Sequence, residues 1–269
     1  MRKREPLSTW KRLFSTLLFT GTLGGPLAFS ALLAFATTST ASATVGFTGL
    51  GQTPCGFSGS ANGVSADGRI VVGRGGVSTG AEAFRWEDGV MTCLGTLPGV
   101  GHDSGAFAAS ADGSVIVGFT SSGIGAEPFR RENGVMTGLT GTPGDTFNSV
   151  ALGVSGDGSV VVGQVSFSAF RWEDGVLTNL LPTEGRTHGA TDISEDGSVI
   201  VGGIITAQAF RWENGVVTDL GTLGPDRGFF SAAFGVSADG RVVVGSSEIS
   251  APPPCVAQAV RRHSSGKTV

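Results

Sequence analysis

From about residue 44 onward, apolar and polar positions recur in one fixed order. A polar turn signal, Val64-Ser65-Ala66-Asp67-Gly68, leads by way of Arg69 into a β-branched run, Ile70-Val71-Val72, that ends on Gly73. The same string returns at 109–118, 154–163, 193–202 and 236–245, at intervals of 45, 45, 39 and 43 residues. A second string, Ala83-Phe84-Arg85-Trp86-Glu87-Asp88-Gly89-Val90, returns at 128–135, 169–176 and 209–216, with a worn fifth copy at Ala259-Val260-Arg261-Arg262. Two interleaved strings in constant order define an internal repeat.

Each copy predicts four short strands. The run after Asp-Gly is apolar at consecutive positions, as in a strand covered on both faces; this is strand a. Ala-Phe-Arg-Trp alternates and makes strand b. Glu-Asp-Gly turns the chain into strand c, Val90–Leu94, and a Gly/Pro-rich loop leads to strand d, such as Ala106–Ser110. Strand d ends at the next Asp-Gly pair, whose residues suit the positive-φ positions of a tight hairpin. Four antiparallel strands per 40 to 45 residues, roughly, is the period of a propeller blade. The expected fold is therefore all-β, a β-propeller of about five four-stranded blades. The ends suggest how it closes. Thr48-Gly49-Leu50 and Val64 read as the c and d portion of a unit, and Arg241 to Arg262 as an a and b portion, so the closing blade is expected to be shared between the N- and C-terminal segments.

The first 43 residues stand outside this pattern. Arg2, Lys3, Arg4, Lys11 and Arg12 precede an apolar run from Leu13 to Ala36, and Ala41-Ser42-Ala43 offers a cleavage site, the layout of a signal peptide. A signal anchor is the competing reading, against which Gly24-Gly25-Pro26 interrupts the run. The expected division is a signal peptide at 1–43 and a single repeat domain at 44–269, exported to the periplasm or beyond the cell. Without the leader, 13 basic residues face 21 acidic ones, a net charge of −8. That balance, with no basic cluster, excludes an electrostatic footprint for nucleic acid.

Both strings resemble those of the HAF-repeat proteins, extracellular repeat proteins of bacteria. The likeness covers the whole chain after the leader, carried by Phe-Arg-Trp-x-(Asp/Asn)-Gly-Val, by Ser-x-Asp-Gly-x-Val-(Val/Ile)-Val-Gly, and by Leu-Gly-Thr-Leu at 94–97 and 220–223. The histidine that names the family is Glu82, Glu127, Ser168, Gln208 and Gln258 here, so no role for it carries over. The resemblance implies export and repeat architecture, and no established activity.

The chemistry-bearing residues are few. Asp67, Asp112, Asp157, Asp196 and Asp239, each two residues after a Ser, look like a carboxylate ring with nucleophiles beside it, but identical copies at a hairpin turn are explained by turn hydrogen bonds. This motif faintly resembles the Asp-box of sialidases; the chain has no Tyr, which excludes a sialidase with its Tyr nucleophile. Glu87, Glu173 and Glu213 are expected to screen Arg85, Arg171 and Arg211. The histidines, His102, His188 and His263, lack the spacing of a metal site. Trp86, Trp172 and Trp212 share one repeat position and read as packing rather than as sugar platforms. The off-pattern aromatics, among them Phe57, Phe147, Phe167 and Phe229-Phe230, have no polar handle.

Asp145, Glu184 and Asp226 follow prolines in successive c–d loops; they are candidates for a weak cation site, with solvated loop carboxylates as the plainer reading. Of the three cysteines, Cys55 and Cys255 fall in loops that one shared closing blade would place on the same side, which predicts a Cys55–Cys255 disulfide and leaves Cys93 as the odd thiol. No cofactor is implied. The function expected is that of a non-enzymatic interaction or scaffold module, a monomer with a protein or glycan partner; the alternative is a carbohydrate-active enzyme or a lectin using the axial pocket.

Overall fold

The structure is a computed structural model that describes residues 46, 48–52, 54–55, 58–77, 80–99, 103–122, 125–140, 149–181, 188–204, 208–223, 230–247 and 258–261. Two compact units divide at Phe47/Thr48, and of the first only Gly46 is described. Every regular element among the described residues is a strand, so none of them forms a helix long and apolar enough to cross a membrane.

The second unit is an all-β propeller of successive antiparallel blades. The first holds β1 (Ser58–Val64), β2 (Ile70–Val77), β3 (Gly80–Glu87) and β4 (Val90–Gly95), paired in that order. The second holds β5 (Asp103–Ala109), β6 (Val115–Ser122), β7 (Gly125–Glu132) and β8 (Val135–Gly138), and the third β9 (Val150–Val154), β10 (Val160–Val165), β11 (Ser168–Glu173) and β12 (Val176–Asn179). The fourth holds β13 (His188–Ile193), β14 (Val199–Ile204), β15 (Ala209–Glu213) and β16 (Val216–Gly221), and the fifth β17 (Ser231–Val236), β18 (Val242–Ser247) and β19 (Gln258–Arg261). One bridge, Gly203 to Ala232, joins the fourth and fifth blades into a continuous sheet.

Each blade thus runs d-a-b-c, and this corrects the expected closure. The N-terminal strand β1 pairs with β2 of its own blade, and no N-terminal strand joins β17–β19 among the described residues. The reason is loop length. Only four residues, 66–69, separate the paired positions Ser65 and Ile70, whose backbones hydrogen-bond at 2.9 Å, and such a link forces its two strands to be neighbours. The longer c–d loops are the ones that cross between blades. The worn fifth b strand is also out of register: Val242 lies opposite Arg261, whereas Val199 lies opposite Glu213.

Two turns alternate, and the positive-φ pair expected at the Asp-Gly of the d–a turn is found at the b–c turn instead. At the outer b–c turn both central residues have positive φ, Asp88 at 47° and Gly89 at 87°, and likewise Asn133-Gly134, Asp174-Gly175 and Asn214-Gly215; this is the type I′ geometry that Asn-Gly and Asp-Gly favour. At the inner d–a turn the Gly alone has positive φ, from 69° to 75°, and the Asp serves as a hydrogen-bond acceptor instead. The glycine that follows the apolar run within strand a has a steric reason. A Cβ on Gly118, Gly163 or Gly202 would sit 1.9–2.0 Å from a carbonyl oxygen of strand d, where that strand bulges.

Packing repeats as faithfully as the turns do. Four apolar clusters fill the four junctions between successive blades. In one, Val160, Val162, Ala169 and Leu180 of the third blade meet Ala190, Ile193, Ile200 and Phe210 of the fourth. The continuous apolar runs Val115–Val117, Val160–Val162 and Val199–Val201 are buried throughout, as a strand between two blades must be.

Candidate functional site

The inner turns come first, because their Ser-Asp pairs were the best imitation of chemistry in the sequence. In the third blade, Ser155 Oγ donates to Asp157 Oδ1 at 2.6 Å and accepts the Val160 N–H at 2.9 Å, while Asp157 accepts the Ser159 N–H at 3.0 Å. The other four blades repeat this set around Asp67, Asp112, Asp196 and Asp239. The hydrogen bonds hold the carboxyls below their usual range. The Ser65, Ser155, Ser194 and Ser237 hydroxyls are the main cause at Asp67, Asp157, Asp196 and Asp239, and the Ser114 N–H is the main cause at Asp112, which falls to about 2. A serine whose lone pair is held by a backbone N–H and whose proton sits on a carboxylate is committed to the turn. These turns also chain the blades together, since Ala66, Ala111, Gly156 and Glu195 each donate an N–H to the equivalent carbonyl of the next blade, at 2.8–3.1 Å.

Strand b carries a second recurrent row. Arg85, Arg130, Arg171 and Arg211 pair with Glu87, Glu132, Glu173 and Glu213 two residues on, as expected. Arg130 also lies over the Trp172 ring at 5.7 Å, and Arg171 over Trp212 at 5.6 Å, each reaching from one blade to the next. Trp172 and Trp212 are half-buried at the rims of the junction clusters. They are joints between blades, neither free sugar platforms nor sealed core.

What recurs and remains exposed lies at the outer edge. Val90, Val135, Val176 and Val216 each open the edge strand of a blade, directly after the type I′ turn, and are 62–66% exposed. A hydrophobic residue held open at one position in four blades, on a strand that among the described residues pairs on one side only, is a repeated surface feature. Phe167 adds an exposed ring at the tip of the β10–β11 hairpin, with φ at 71°.

Asp145, Glu184, Asp226, His102, His263 and Cys255 lie outside the described residues, and of His188 only its place at the start of β13 is described. Among the described residues no three acidic, His or Cys side chains gather as a metal site. The predicted Cys55–Cys255 bridge is overturned, because Cys55 is bonded to Cys93, with Cα atoms 5.6 Å apart. Cys93 lies on β4, an edge strand of the first blade, so the bridge ties Cys55 to that strand. A cavity of about 80 Å3 lies between the fourth and fifth blades, and among the described residues its lining includes Leu220, Leu223, Val243 and Val244.

Three features escaped the reading of the repeats because they do not repeat in every blade. Ser104 and Ser231 each accept an N–H of the preceding blade, from Ala83 and Ala209, and donate to its Gly95 and Gly221 carbonyls at 2.7 Å. Those glycines belong to the two Leu-Gly-Thr-Leu stretches, the only signal that pointed to them. Glu127, at the position of the family's histidine, is fully buried and accepts the Thr140 N–H and hydroxyl. Arg74 of β2 grips Asp103 of β5 through two bonds of 2.7 Å.

No family model matches the chain, and no curated protein matches it. Solved structures do. A protein assigned as TolB from Agrobacterium tumefaciens is 17% identical, with 79% of each chain covered and a TM-score of 0.50. TolB from Acinetobacter baumannii is 15% identical over 71% of this chain at a TM-score of 0.46, and this chain spans only about half of it, 49%. An oligogalacturonate lyase in complex with manganese is 12% identical over 70% of each chain, at 0.34. The first of these likenesses places the fold, and only the fold, among TolB-like β-propellers.

Proposed function

We propose that this chain is an exported, non-enzymatic interaction module that presents its blade edges to a protein partner. The observation that carries this reading is the row of exposed valines, Val90, Val135, Val176 and Val216, repeated at one place on four edge strands. Exposed apolar side chains on edge strands suit recognition by apolar contact and strand pairing. The resemblance to HAF-repeat proteins and the leader at 1–43 support export, and the TolB-like fold is in keeping with a binding role. The Ser-Asp pairs, held in their turns, do not serve as nucleophiles. The alternative, a carbohydrate-active enzyme or a lectin using the axial pocket, is decided by the second measurement below.

Two measurements test this. Protein recovered from the medium or periplasm should begin at Thr44; an intact Met1 would mean an anchored chain instead. A partner captured by the wild type should be lost when Val135 and Val176 become Ser, with the melting temperature unchanged. Saturable glycan binding that survives the substitution would refute the edge as the site and favour a lectin.

A further inference from the structure

One position on strand b is filled alike in three blades and differently in the second. Trp86, Trp172 and Trp212 hold it in the first, third and fourth blades, and Arg131 holds it in the second. Register shows that the place is the same. Trp172 lies between Val161 and Leu177, Trp212 between Ile200 and Val217, and Arg131 between Ile116 and Met136. Ile116 and Met136 belong to the apolar cluster that fills the junction of the first and second blades, so Arg131 stands half-buried at that junction.

Its counterparts meet a cation there. Arg130 lies over Trp172 at 5.7 Å and Arg171 over Trp212 at 5.6 Å, each reaching from the preceding blade. The residue of the first blade in that place is Arg85, opposite Val72 and Thr92 as Arg171 is opposite Val162 and Thr178. By this register a guanidinium faces a guanidinium where the next two junctions set one on an indole ring.

The charges at this place do not balance. Every other arginine with a described side chain pairs with a carboxylate. The Arg131 side chain has no hydrogen bond, ion pair or ring contact among the described residues. Arg85 donates one N–H to Glu87 at 2.8 Å, but it lacks the bond to the next inner turn that Arg130 makes to the Gly158 carbonyl and Arg211 to that of Gly240. Glu132 is already held by Arg130. Two guanidiniums therefore face the single carboxylate of Glu87, which leaves a positive charge uncompensated. A position that breaks a local rule without a compensating contact is where function is expected.

We propose that Arg131 and Arg85 bind a carboxylate group from outside the chain at the junction of the first and second blades. The guanidinium fork matches a carboxylate through paired N–H donors, and the chain makes such ion pairs at all its other described arginines. Here the ligand supplies the acid. A neutral sugar or an apolar peptide would leave the second cation unpaired. The site lies apart from the row of exposed valines, and its test does not depend on them.

That test is arginine-selective modification of the full chain by phenylglyoxal, read residue by residue through peptide mapping. Acetate in place of chloride, at equal ionic strength, should slow modification of Arg131 and Arg85 several-fold. Arg241, an exposed arginine elsewhere, should react at an unchanged rate. Poly-L-glutamate at the same carboxylate concentration separates the sources. Slowing by both probes means that a free small acid suffices, and slowing by the polymer alone means a carboxylate carried by a larger partner. Arg131→Trp restores the ring of the other blades, should fold as wild type does, and should abolish the slowing at Arg85. The proposal is overturned by unchanged modification of Arg131 in both carboxylates, by equal slowing at Arg241, or by slowing of Arg85 that persists in Arg131→Trp. Inorganic phosphate that protects Arg131 where neither carboxylate does would overturn the assignment of the ligand.

Discussion

Val201 and Val244 occupy the same place in two copies of one motif. The first lies between two blades and is sealed; the second lies on the last blade and is open. The contrast extends to whole surfaces: the middle residue of strand a is buried in the second, third and fourth blades, whereas Val71 in the first is only partly covered. An apolar run therefore states what a strand can bury, and the next blade decides whether it does. The inner turns teach the opposite lesson. Ser237, Asp239 and Val242 at the end of the array make the same hydrogen bonds as Ser155, Asp157 and Val160 in its middle, because every partner comes from the same few residues.

The largest effect should fall where that difference is widest. Phe170→Ala, in the junction of the second and third blades, is expected to cost about 3–5 kcal/mol, through lost transfer energy and the cavity left behind. Phe234→Ala, at an exposed ring, should stay within about 0.5 kcal/mol. Denaturant midpoints measured on both variants check this; equal losses would mean that the last blade is covered after all.

Next comes the staple of the first blade. Cys55–Cys93 closes a loop of 38 residues, worth about 4 kcal/mol in the chain-entropy model, less where the unfolded chain keeps structure. Cys93→Ser should lower the denaturation midpoint by an amount of that order, and peptide mapping of the oxidised wild type should recover the 55–93 pair. Recovery of a 55–255 pair would restore the closure that the sheet order argues against.

How much of this was legible in the sequence follows the same division between local and distant partners. The repeat, the buried run Val160–Val162 and the Arg171–Glu173 pair could be read because each depends on spacing within one copy. The cut between blades could not be read from periodicity alone, since a cyclic string of four strands has no marked beginning. The short 66–69 link carried the answer, and placing the boundary at that turn sent Cys55 to the wrong partner. The site was less legible still. Val90 and its counterparts sit within the recurrent string but look like any strand residue until the strand is known to be an edge. Glu127 and Ser104 are used by neighbouring segments that only folding brings near.

A smaller effect separates turn from packing. Ser155→Ala leaves the buried Val160 N–H without its acceptor, which is expected to cost about 1–3 kcal/mol. Ser237→Ala removes the same bond where water can reach the Val242 N–H, and should cost less, under about 1 kcal/mol. Thermal melts of the pair decide it; a larger loss at Ser237 would show that the last turn is the more enclosed one.

The smallest and broadest effect is that of pH, and here the ends and the middle should agree. Each turn aspartate has a folded pKa below its ordinary value of 3.8, at Asp239 as at Asp157, with Asp112 at about 2. A depressed carboxyl contributes stability that is fully present above its unfolded pKa and lost as pH falls through the folded one, so the window lies between about pH 4 and 2. Asp192 runs the other way. Burial raises its pKa despite bonds from the Val236 and Ile193 N–H groups, so its charged form is disfavoured in the fold, and its contribution declines as pH rises above 3.8. Acid unfolding followed by circular dichroism should therefore be less steep for Asp112→Asn than for wild type between pH 4 and 2. Asp239→Asn should flatten the same window, because its turn is built from its own residues whether or not a blade follows. A wild-type slope in Asp239→Asn alongside a flattened one in Asp112→Asn would mean that the neighbouring blade governs the turn as well as the core.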